Sequence, residues 1–72
     1  MKERNLTLAA LRVNARLRQK NVAKEIGVAV ATLQNWERGK TIPNILHAQQ
    51  LADMYGVNLD DILFALTDKL KD

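Results

Sequence analysis

The chain has 72 residues, 47% of them hydrophobic and 26% charged, with three glycines and one proline; this fits one small folded domain and excludes disorder, collagen and low complexity. The absence of cysteine excludes a disulfide framework and a thiolate metal site, and with His47 as the only histidine a His-based zinc site or a His-assisted nucleophile would lack most of its parts. Residues 1–40 carry nine Lys or Arg against three Glu, giving +6, and residues 41–72 carry two Lys against five Asp, giving −3; such an asymmetry fits one face built for a polyanion, or simply a solvated surface.

Helical spacing runs through the whole sequence, and no sustained period-two alternation marks a strand. Leu8, Leu11 and Ala15 predict a first helix from about Thr7 to Arg16. Val22, Ala23 and Ile26 give a second, short stripe, with Gly27 where a C-cap glycine belongs. A third helix spans roughly Val30 to Arg38, carries Leu33 and Trp36 inward and is closed by Gly39. Asn44 is placed to cap a fourth helix with Ala48, Leu51, Ala52 and Tyr55 on one face, ended by Gly56. Asn58 and Asp61 resemble a capping box opening a fifth helix with Leu59, Ile62, Leu63 and Leu66. The fold class is therefore all-α, a compact arrangement of five short helices. The apolar stretches are too short for a membrane span, and MKERNLTLAAL lacks the apolar core of a signal peptide, so a cytoplasmic protein is expected.

The second and third helices are separated by a tight, glycine-containing turn. Such a pair forms a helix-turn-helix, whose second helix can lie in the DNA major groove, although many helical hairpins share this outline without binding DNA. At about 100° per residue, with Leu33 inward, Ala31, Asn35 and Arg38 fall near the outer pole, and Val30, Thr32 and Gln34 on its shoulders. That strip carries small apolar groups, amides and a cation, and no carboxylate. Asn pairs with adenine, Ala, Val and Thr methyls touch the thymine methyl, and Arg38 reaches a phosphate.

The segment QKNVAKEIGV from Gln19 to Val28, followed by TLQNWERGKTIP from Thr32 to Pro43, resembles the phage repressor and Cro-type helix-turn-helix family, also called the XRE family. The specific parts are the frame Gln19, Ala23 and Gly27, the run from Trp36 to Lys40 with Pro43, and LADMYGVNLDDIL from Leu51 to Leu63. The resemblance implies a five-helix domain of the lambda-repressor-like type at residues 7–66. Residues 1–6 would be a flexible arm, where Lys2 and Arg4 could reach DNA, and 67–72 a tail or helix extension. It implies that Gln19 holds a phosphate and that Val30, Ala31 and Asn35 read bases, with Ala29 and Gln34 nearby. Arg38, Lys40 and Thr41 would clamp a phosphate, and Arg12 with Glu37 would tie the first helix to the third. Two departures stand out: Arg18 and Ala29 occupy positions where the family usually places a hydroxyl-bearing helix cap. Arg18 could serve as a further phosphate contact.

Leu59, Leu63, Leu66 and Leu70 are spaced 4, 3 and 4, a helical seam. With Phe64 they suggest a surface, drawn from Leu63, Phe64, Leu66 and Leu70, that pairs with a second copy of the chain. The expected function is a sequence-specific DNA-binding transcriptional regulator, a repressor. It would act as a homodimer on a pseudo-palindromic double-stranded operator, without cofactor, metal or catalysis. The alternative is a protein-interaction module, such as an antitoxin-like subunit whose main partner is another protein. His47 is expected to pack or lie at the surface, and Asp60 and Asp61 to favour the dipole of the fifth helix rather than form a catalytic pair.

Overall fold

A computed structural model describes residues 7–71, with side chains through Thr67. Lys2 and Arg4 lie outside the described residues, and Leu70 outside the described side chains. The elements are α1 (Leu8–Asn14), α2 (Gln19–Ile26), α3 (Val30–Arg38), α4 (Ile45–Tyr55) and α5 (Leu59–Lys71), with no strand among the described residues. The chain folds as an all-α domain.

Each boundary has a local cause. Thr7 Oγ1 accepts from the Ala10 N–H at 3.0 Å and caps α1. Asn44 Oδ1 does the same for α4, accepting from the His47 N–H at 2.8 Å. At the start of α5 the Asp61 carboxylate reaches back to the Asn58 N–H at 3.1 Å, the carboxylate half of a capping box. Gly27 ends α2 at φ 88°, a left-handed conformation, and a Cβ there would meet no atom within 4 Å. Backbone conformation alone, not space, demands glycine at this turn.

The end of α1 departs from expectation. The helix stops at Asn14, and Arg16 adopts φ 62° with no glycine to mark it. Arg16 N–H donates to the Val13 carbonyl at 2.9 Å and Leu17 N–H to the Arg12 carbonyl at 3.2 Å, the bond pair of a Schellman motif. Leu17 then packs against the core, and that hydrophobic contact holds the left-handed turn in place.

The core draws on all five helices: Leu8 and Leu11, Val22 and Ile26, Leu33 and Trp36, Ala48, Leu51, Ala52 and Tyr55, then Ile62, Ala65 and Leu66. Leu33, Leu51 and Ile62 have no exposed surface. Helix α2 packs against α3 and α4, while α1 spans α3, α4 and α5. The ring of Trp36 meets that of His47 at a centroid distance of 5.3 Å, tilted by 41°, within the range of about 4.5–7 Å of interacting aromatic pairs.

Along α5 the exposed face is not the expected seam. Ile62 points to the centre of the core, and at 100° per residue it carries Leu59, Ala65 and Leu66 with it. Leu66 therefore belongs to this chain's own core and is withdrawn from the candidate pairing surface. Leu63 and Phe64 lie on the outer face of α5 and are exposed.

Candidate nucleic-acid interface

The site begins with the turn between α2 and α3. Gly27 and Val28 both donate their N–H groups to the Ala23 carbonyl, at 2.8 and 3.0 Å. The chain then enters α3 through Ala29, so the two helices meet within a few residues. Leu33 and Trp36 bury one side of α3, which fixes its rotation about its own axis. Ala31 and Arg38 are consequently exposed, as are Ala29 and Val30, while Thr32, Gln34 and Asn35 are half-buried.

Beyond α3 the chain bends back on itself. Lys40 N–H donates to the Asn35 carbonyl at 2.9 Å, and Thr41 N–H to the same oxygen at 3.4 Å. This hook holds the exposed Lys40 and Thr41 beside Arg38 at the C-terminal end of α3. Arg18 and Lys20 are likewise exposed around the start of α2, where Gln19 meets Gln34 and Glu37 of α3.

The N-termini of these two helices differ from those around them. Neither Arg18 before α2 nor Ala29 before α3 supplies a side-chain cap, whereas Thr7 and Asn44 cap α1 and α4. Their terminal N–H groups thus lack side-chain partners from the caps at the positive end of each helix dipole, and those of α2 lie beside Arg18 and Lys20. This chemistry suits an anion rather than a second positive charge.

A chain of four polar side chains links α1, α2 and α3. Arg12 Nε donates to Glu37 Oε2 at 2.7 Å, its Nη2 to Glu37 Oε1 at 3.4 Å, and its Nη1 to the Leu17 carbonyl at 3.0 Å. The two side chains are only 14% and 8% exposed. Gln19 Nε2 donates to Glu37 Oε1 at 2.9 Å, and Gln34 Nε2 donates to Gln19 Oε1 at 3.2 Å. The structure brings Arg12 and Glu37 together, with Gln19 and Gln34 joined to them. The links from Gln19 were not legible in sequence, because its partners lie 18 and 15 positions away and no periodicity connects them. Nearby, the Tyr55 hydroxyl is buried without a hydrogen-bond partner among the described residues. Its pKa is pushed up to about 12 by burial first, with the Glu37 charge adding to the shift and Arg12 opposing it.

Among the described residues no group of three or more His, Asp or Glu side chains is placed to hold a metal ion, and no helix is long and apolar enough to cross a membrane.

Residues 8–62 match the family described as Helix-turn-helix, a span that takes in α1 to α4, the first turn of α5 and the whole polar chain. The protein belongs to the XRE-type helix-turn-helix family. A curated relative, the HTH-type transcriptional regulator DdrOP3 of Deinococcus deserti, is 38% identical to this helix-turn-helix chain over 56 residues. The match covers 78% of the chain and 43% of the relative, so the chain spans less than half the length of that protein. No solved structure gives a significant match to this family member.

Proposed function

We propose that this helix-turn-helix chain is a sequence-specific, DNA-binding transcriptional regulator acting as a repressor, with α3 as its major-groove reading helix. The observation that carries this reading is the outer face of α3. It bears no carboxylate, is locked in rotation by Leu33 and Trp36, and ends at the exposed cations Arg38 and Lys40, with Arg18 and Lys20 exposed where the start of α2 meets Gln34 and Glu37. Asn35 reads a base edge, with the Val30, Ala31 and Thr32 methyl groups beside thymine methyls. Arg18 and the uncapped start of α2 take one phosphate, while Arg38, Lys40 and Thr41 take the next. Ala29, small and uncharged, lets the start of α3 approach the duplex closely.

Two copies would pair through the exposed Leu63 and Phe64 of α5, so that two reading helices meet half-sites about one turn, roughly 10 base pairs, apart. Occupancy of such a site at a promoter excludes other proteins and thereby represses. Selection from a random duplex pool at physiological salt tests the reading. It should enrich a two-fold motif, and Asn35→Ala should relax one position of it, whereas Lys40→Ala should weaken all sequences alike. A pool that stays random refutes sequence-specific regulation. The exposed Phe64, at 55%, would then favour an interaction module for another protein, detectable as a partner retained without DNA.

A further inference from the structure

The orientation of an amide side chain is normally free, because its oxygen and nitrogen ends have nearly the same shape. Here it is imposed from one end. Glu37 is a carboxylate, which only accepts, and it is held by Arg12 on the other side. The end of Gln19 that meets Glu37 must therefore be its NH2, which leaves the Gln19 carbonyl oxygen facing α3. The end of Gln34 that meets that oxygen must in turn be NH2. The Gln34 carbonyl oxygen makes no hydrogen bond among the described residues and is not among their buried, unpartnered side-chain atoms, so it opens to solvent.

We propose that Gln19 is a positioning residue that transmits the polarity of Glu37 to Gln34, so that Gln34 meets the groove with an acceptor outward and reads the exocyclic amino group of one base. This rests on the reading of α3 as the groove-facing helix. In the major groove the only hydrogen-bond donors are the adenine N6 and cytosine N4 amino groups; guanine N7 and O6 and thymine O4 all accept. Phosphate oxygens also accept, so an outward carbonyl discriminates against the backbone as well as against the wrong base edge. A Gln34 free to flip would tolerate either, and with it the selectivity at that position would be lost.

The test uses the full chain and the duplex motif enriched by selection, with single exocyclic amino groups deleted in turn (purine for adenine, the 4-deaminated pyrimidinone for cytosine). Wild-type protein should lose about tenfold in affinity at one position per half-site, the value of one good hydrogen bond, and whether that position holds adenine or cytosine names the base. Gln34→Ala and Gln19→Leu should each bind the intact and deleted duplexes equally well. Glu37→Gln keeps Gln19 in place but removes the imposed polarity, so its loss should shrink to about threefold or less, with folding checked by circular dichroism. If Gln19→Leu weakens every duplex equally and keeps the tenfold penalty, Gln19 is only an anchor and the proposal falls. A motif with no amino group sensed by Gln34 also overturns it, while leaving sequence-specific binding intact. A pool with no motif overturns both.

Discussion

Replacing Arg12 with Met removes the cation but keeps most of the apolar length of the side chain, and it leaves Glu37 with Gln19 as its remaining donor. Glu37 is 8% exposed and Arg12 14%, so the orphaned carboxylate cannot recover its hydration without local opening. Removing one partner of a buried pair costs about 3–5 kcal/mol. The residual exposure and the surviving Gln19 bond place this one near about 3 kcal/mol. A domain of this size has a total stability of about 4–11 kcal/mol, so the variant should melt roughly 12–24 °C lower. Arg12→Met combined with Glu37→Met removes both charges and should cost only about 1–2 kcal/mol, mainly for the unpaired Gln19 amide and Leu17 carbonyl. Urea unfolding followed by circular dichroism, run on the wild type, both single variants and the double, gives the coupling energy. A coupling below about 0.5 kcal/mol would refute the claim that this pair ties α1 to α3.

Three other outcomes follow from single side chains. Tyr55→Phe should raise stability by about 1 kcal/mol, because the buried hydroxyl has no partner to lose. Because folding raises the Tyr55 pKa from 10.0 to about 12, the folded state holds that proton more tightly, so this part of the stability is intact below pH 10 and is lost as pH rises toward 12. The difference in melting temperature between the Phe variant and wild type should accordingly widen above pH 10. Arg16→Gly should stabilise by up to about 1 kcal/mol, since φ 62° is strained for arginine and relaxed for glycine; an unchanged or lower urea midpoint would contradict the strain. Ala29→Asp should supply the missing cap of α3 and add about 1 kcal/mol of stability. It should also weaken binding to every duplex by placing a carboxylate at the phosphate, so a gain in both quantities would show that this helix start does not face DNA.

The five helices were legible because punctuation and period agree. Gly27, Gly39 and Gly56 stand in left-handed conformations at helix ends, and Asn44 and Asp61 bond as their spacing suggests. Legibility failed where tertiary packing decides. Arg16 takes a glycine's conformation because Leu17 is drawn into the core. On α5, a seam counted from leucines alone ignored Ile62 and Ala65, whose burial turns Leu66 inward and leaves Phe64 outside. At the interface the outer pole of α3 could be read from Leu33 and Trp36, since one helix is a local object. The bonds of Gln19 to α3 could not, because they depend on how α2 is set beside it.

Every helix contributes to one core, yet Val30, Ala31 and Asn35 contribute nothing to it. On the proposed reading of α3, such an arrangement separates heredity of the scaffold from heredity of the address. A lineage exchanging these three residues would then acquire new target sites while the fold drifts little. Gln34 is outside that freedom: it shares its polarity with Gln19 and Glu37, and Glu37 with Arg12. Diversification at this position should therefore proceed in concerted steps, with changes at Gln34 accompanied by changes at Gln19.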